Sequence, residues 1–119
     1  MYTEQVLDHF HHPRNVGEIE TPSAVAEASN PVCGDTLKLW ILVLDGRIAE
    51  VTFKVQGCVP AVACASWLTE AIKDKPMTEI VALGSEEIER GLGSLPQASR
   101  HASTLAVNAL RKALEKINI

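Results

Sequence analysis

The sequence predicts an α+β domain, a small antiparallel sheet covered mainly on one face by helices, and three observations carry that prediction. Leu37, Leu39, Ile41 and Val43 fall on one face of a strand, and Val51, Phe53 and Val55 alternate with Glu50, Thr52, Lys54 and Gln56. Asp45-Gly46 separates the two runs, and such a pair between alternating hydrophobics signals a tight hairpin with one wet face. Beyond Pro60 the period changes to the helical one, with Ala61, Cys64, Ala65, Leu68 and Ile72 spaced by three and four. A half-apolar sheet followed by amphipathic helices buries both by stacking them.

The elements follow in order. From Tyr2 to His11, Val6, Leu7 and Phe10 have helical spacing behind Thr3, a candidate N-cap, and His12-Pro13 ends the helix. Asn15-Val-Gly-Glu18 is turn-like, and Ala24 to Ala28 reads as an edge strand. After the hairpin, Pro60 is well placed as a first helical residue, and the pattern stops before Pro76. Thr78 to Leu83 and Ser85 to Leu92 are short helical pieces broken by Gly84 and ended by Gly91 and Gly93. Ala102, Leu105, Ala106, Ala109, Leu110, Ala113, Leu114 and Ile117 then form one long apolar stripe. No repeat, low-complexity stretch or linker divides residues 1–119, which read as one domain.

Composition narrows the function. At 46 % hydrophobic, 119 residues can bury a real core. The net charge is −4, and the eleven Lys and Arg residues are scattered from Arg14 to Lys116, so nucleic acid is not an expected partner. No apolar run approaches the roughly 20 residues a bilayer needs, and the N-terminus has no basic start leading into an apolar segment. The expectation is a soluble, cytoplasmic protein, with Cys33, Cys58 and Cys64 as free thiols or metal thiolates rather than disulfides.

Chemistry concentrates at the strand ends. In Asn30-Pro-Val-Cys-Gly-Asp35, Gly34 relieves the backbone between a soft ligand, Cys33, and a hard one, Asp35; turn chemistry alone is the competing reading. Cys58 leaves the second hairpin strand just before the helix, where backbone N–H groups and the helix dipole favour a thiolate; an ordinary small corner residue is the alternative. A hairpin closed at Asp45-Gly46 brings Cys33 and Cys58 to the same end of the sheet. Cys64 shares an apolar stripe with Ala61 and Leu68 and reads as core. His101 heads the last helix on its stripe side, where a packing or capping role competes with a ligand role. His9, His11 and His12 surround a helix end and are expected in solvent.

Taken together, Asp8-His-Phe-His-His-Pro-Arg-Asn-Val-Gly17, Asn30-Pro-Val-Cys-Gly-Asp35, Gly57-Cys58 with the following Ala-Val-Ala-Cys-Ala-Ser-Trp-Leu-Thr-Glu70, and His101-Ala-Ser-Thr-Leu-Ala106 resemble the NifU/IscU-type iron–sulfur cluster scaffold proteins almost end to end. The resemblance implies a three-stranded antiparallel sheet with a metal site at one end. It further implies that three cysteines, helped by an aspartate and a histidine, hold a nascent 2Fe–2S cluster, or zinc in its place. Cys33, Asp35, Cys58 and His101 match four of those five positions. The third family cysteine directly follows the histidine, and here that position is Ala102.

The resemblance thus implies a non-enzymatic assembly or transfer protein that receives sulfur from a cysteine desulfurase, holds iron or a transient cluster, and serves acceptor apoproteins. The loss at Ala102 keeps a second reading open, a degenerate relative that binds zinc or no metal and acts through protein contacts. Family members served by a dedicated Hsp70 chaperone carry Leu-Pro-Pro-Val-Lys before the histidine; this chain has Leu95-Pro-Gln-Ala-Ser99, a departure that puts docking of that chaperone in doubt. Cys33, Asp35, Cys58 and His101 suffice in number for tetrahedral zinc and for a 2Fe–2S cluster with one histidine ligand. A Cys-His-Asp hydrolase has the residue types but no sequence sign of an oxyanion hole.

Overall fold

Asp45 and Gly46 both take positive φ, 53° and 75°, the backbone of the primed turns whose twist matches that of a hairpin. The computed structural model describes residues 2–31 and 34–117. The turn joins β2 (Asp35–Leu44) to β3 (Arg47–Gln56), and β1 (Ala24–Asn30) pairs with β2 on the other side. Both pairings are antiparallel, with Ala28 opposite Leu37, Leu39 opposite Phe53 and Thr36 opposite Gln56. A bulge between Leu42 and Val43 shifts the register near the turn. Three strands, with the edge strand two residues longer than the sequence suggests, form the expected sheet.

Around it run α1 (Glu4–His11), α2 (Val59–Ile72), the short α3 (Met77–Ile80) and α4 (Ser85–Gly91), a 3₁₀ turn at Gln97–Ser99, and α5 (His101–Ile117). Ala24, Ala26, Leu37, Leu39, Ile41, Val51 and Phe53 meet Ala61, Leu68, Ile72, Leu105, Ala109 and Leu110 in one core. Small residues on β1 let α5 lie close, and Lys112 and Lys116 of α5 donate to the carbonyls of Glu27 and Val25 on the β1 edge. Charged groups on an edge carbonyl row blunt further strand pairing. α2 is apolar nearly all round and buried on most of its length because it lies between the sheet, α5, α1 and α4.

Two expectations change. The outer face of the sheet is not uniformly wet. Gly17 donates to Phe53 O on β3, Ser23 to Ile41 O on β2, and Glu18 pairs with Lys54 at 2.8 Å. The segment between therefore crosses the outer face, where Trp40 is only 6 % exposed and Lys38 Nζ sits 5.1 Å over its ring.

His11 and His12 are exposed as expected, but His9 is buried. Its Nδ1 lies 2.7 Å from Ser66 Oγ and its Nε2 3.7 Å from Glu70 Oε1, while Arg14 N donates to the same Ser66 Oγ at 2.9 Å. With Thr3 capping Val6 N and donating to Leu92 O, this network fastens α1 to α2 and to the end of α4. Burial pushes the His9 pKa down, and Arg14 adds to the shift while Glu70 and Asp8 oppose it.

Candidate metal centre

Three elements deliver one side chain each to the same end of the sheet. Asp35 opens β2 and is buried; Cys58 is the N-cap residue of α2, two positions beyond the end of β3; His101 is the first residue of α5. One ligand atom from each of the three lies within 4.8 Å of the others. Cys58 Sγ donates to Asp35 Oδ2 at 3.1 Å, and His101 Nε2 stands 3.9 Å from that same oxygen. Ligand bonds of about 2.0–2.3 Å at a tetrahedral ion imply ligand-to-ligand distances of about 3.3–3.8 Å, so the donors sit near binding separation. Cys33, the fourth residue expected here, lies outside the described residues.

Each position has a local cause. Gly34 has φ 76°, and its N–H donates to Asn30 O at 2.7 Å, closing the turn that leads into Asp35. Gly57 allows close approach: a Cβ there would stand 2.8 Å from Asp35 Cγ and 3.0 Å from Oδ1. The sequence signal for this was a glycine at a strand-to-helix corner. His101 Nδ1 lies 3.2 Å from Ala98 O. Since a carbonyl only accepts, Nδ1 is the donor in this contact, which leaves Nε2, on the side of Asp35, as the nitrogen a metal would take.

Cys58 departs from expectation in its acidity. Burial raises its pKa most; the Ala61 N–H at the start of α2 lowers it, and the Asp35 carboxylate raises it again. Desolvation and a like charge outweigh the helix terminus, so the apo site holds a thiol bonded to a carboxylate. Cys64 is core as expected, fully buried, with its pKa pushed up to about 12 chiefly by burial. Ala102 is buried beside His101 and offers no donor.

A thiol, an imidazole and a carboxylate gathered at the end of a small α+β sheet form a donor set, mixed soft and hard, that could hold a metal ion. The chain matches the NifU-like N terminal domain over residues 1–118 and belongs to that family. It is 42 % identical over 114 residues to the iron–sulfur cluster assembly scaffold protein IscU 1 of Archaeoglobus fulgidus, covering 96 % of this chain and 74 % of that one. To the scaffold protein IscU of Aquifex aeolicus it is 40 % identical over 116 residues, with the same two coverages. The crystal structure of an N-terminal NifU-like protein from Brucella abortus shares the fold, with a TM-score of 0.79, 20 % identity, and coverage of 97 % of this chain and 92 % of that one. No helix among the described residues is long and apolar enough to cross a membrane.

Proposed function

We propose that this chain is a scaffold for iron–sulfur cluster assembly, a non-enzymatic protein that holds iron and sulfide as a transient 2Fe–2S cluster and releases it to acceptor apoproteins. The observation that carries this reading is the convergence of Asp35, Cys58 and His101 from three separate elements to within 4.8 Å. Cys33, two residues before Asp35, is the fourth ligand of the proposal. The cluster is cargo, and its sulfur comes from a cysteine desulfurase as the partner.

The residues suit temporary holding. The Cys58 thiol is bonded to Asp35 in the apo state, so metal binding must release that proton to solvent for both groups to ligate. His101 offers Nε2 because Ala98 O engages Nδ1. Asp35 is a hard ligand, poorly matched to cluster iron, and favours release. Zinc fits the same donors as a substitute. The alternative, a degenerate relative that binds zinc or no metal and acts through protein contacts, is disfavoured by the relatives this chain matches, which are named iron–sulfur cluster assembly scaffold proteins.

The test is iron, zinc and acid-labile sulfide content of the protein purified without oxygen, before and after incubation with iron, cysteine and a desulfurase. Equal iron and sulfide, with a thiolate-to-iron absorption band, is the expected result. Cys58→Ser and His101→Ala should each retain less, and Ala102→Cys should retain the cluster longer. Zinc or no metal after incubation, under conditions where an intact relative assembles a cluster, would refute the scaffold role.

A further inference from the structure

The N-terminus of α5, which carries His101, has no carboxylate of its own. Its first turn contains no acidic residue, and Arg100 and His101 place basic groups at the positive end of the helix dipole. A carboxylate reaches it from elsewhere. Glu89 of α4 accepts from Ser103 Oγ at 2.9 Å through Oε2 and lies 3.4 Å from Arg100 Nε through Oε1. Ser103 is fully buried, and its hydroxyl is also 2.8 Å from Arg100 O, so one proton is shared between carboxylate and backbone. The two contacts bracket His101, one on the residue before it and one two residues after.

The direction of the His101 ring depends on this junction. Its Nδ1 is held by Ala98 O in the 3₁₀ turn, whereas its Cα belongs to α5. Arg100 joins the two, and Glu89 holds Arg100 on one side and the first turn of α5 on the other. We propose that Glu89 is a positioning residue that clamps the start of α5 so that His101 Nε2 faces Asp35 and Cys58. The proposal deepens the reading of this cluster as a metal site and rests on it.

The experiment measures Co²⁺ affinity of the chain, apo stability in urea, and the imidazole tautomer of His101 by ¹⁵N NMR. Loss of a group that orients a ligand lowers metal affinity by about 10–100-fold, and Glu89→Ala is expected at the low end of that range. Glu89→Gln, which keeps an acceptor for Ser103 but loses the ion pair, should fall between. In a His101→Ala background Glu89→Ala should cost little further affinity, because its effect runs through the absent ring. In the apo protein, Glu89→Ala should shift His101 away from the Nδ1–H tautomer. An equal affinity loss in both backgrounds, tracking urea stability, would overturn the proposal, as would an unchanged tautomer and unchanged affinity. If the wild-type chain binds no Co²⁺, the metal reading fails, and the tautomer alone then decides whether Glu89 positions His101.

Discussion

Replacing Gly57 by alanine tests how tightly the site is built. Only space is at stake, since Gly57 lies outside the left-handed region. The new Cβ would stand 2.8 Å from Asp35 Cγ and 3.1 Å from Asp35 Cβ. Ordinary carbon–carbon contact begins at about 3.5 Å, so the first contact is short by about 0.7 Å and the second by about 0.4 Å. Rotation about χ1 moves the carboxyl away and relieves the first, at the expense of the 3.1 Å bond from Cys58 and the approach to His101. No rotation moves Cβ, so β2 must also shift by a few tenths of an ångström against a core in which Leu37 and Leu39 are fully packed. Overpacking of this kind costs about 1–3 kcal/mol, and we expect about 1–2 kcal/mol here because Asp35 retains partial freedom. Urea unfolding of the apo protein reads that cost. A Co²⁺ titration reads the second effect, an affinity about tenfold lower, close to that of Asp35→Ala. Combining Gly57→Ala with Asp35→Ala should recover part of the stability but none of the affinity. A Gly57→Ala protein with wild-type unfolding and wild-type Co²⁺ affinity would show that the close approach does not set the Asp35 position.

Two further outcomes concern groups outside the proposed ligand set. Because His9 is buried with its pKa depressed, the unfolded chain binds the proton more readily; stability should be full above about pH 6.5 and fall as pH drops from there toward the folded pKa. Urea midpoints of the apo protein across pH 5 to 8 check this, and a stability difference between wild type and His9→Gln that does not vary with pH would contradict it. Cys64, with its pKa pushed up to about 12, has a thiolate fraction of about 10⁻⁴ at pH 8. Iodoacetamide should therefore leave it unmodified in the native protein and label it in urea, and peptide mass spectrometry that found it alkylated before unfolding would refute its burial.

The hairpin was legible because its signals are local: alternation along each strand and two turn residues able to adopt positive φ. That register also placed Cys33 and Cys58 at one end of the sheet; Cys33 lies outside the described residues, and the contact seen with Cys58 there is that of Asp35. His101 is different. Its place at the head of an apolar stripe was readable, but a role in the site came from family resemblance, since nothing within a helical turn shares its chemistry. His9 was misjudged because its burial is caused by Ser66 and Glu70, more than fifty residues away. The burial of Trp40 on the face expected to be wet was not legible because the segment crossing that face carries no strand or helix pattern. The Cys58 pKa ran against expectation for a similar reason: a helix terminus is visible in sequence, but desolvation and the neighbouring Asp35 carboxylate are not.

By itself the sequence determined the periodic elements, the turn that pairs β2 with β3, the residue types able to bind metal, and the absence of a cysteine at Ala102. Those properties belong to single segments, where steric preference and apolar spacing act between near neighbours. Only the tertiary structure decided that Asp35 sits against Gly57, that His101 presents Nε2 to it, and that Glu89 reaches across from α4 to the start of α5. These contacts join distant parts of the chain, and they exist because burying one shared core forces α2, α4 and α5 into fixed places around the end of the sheet.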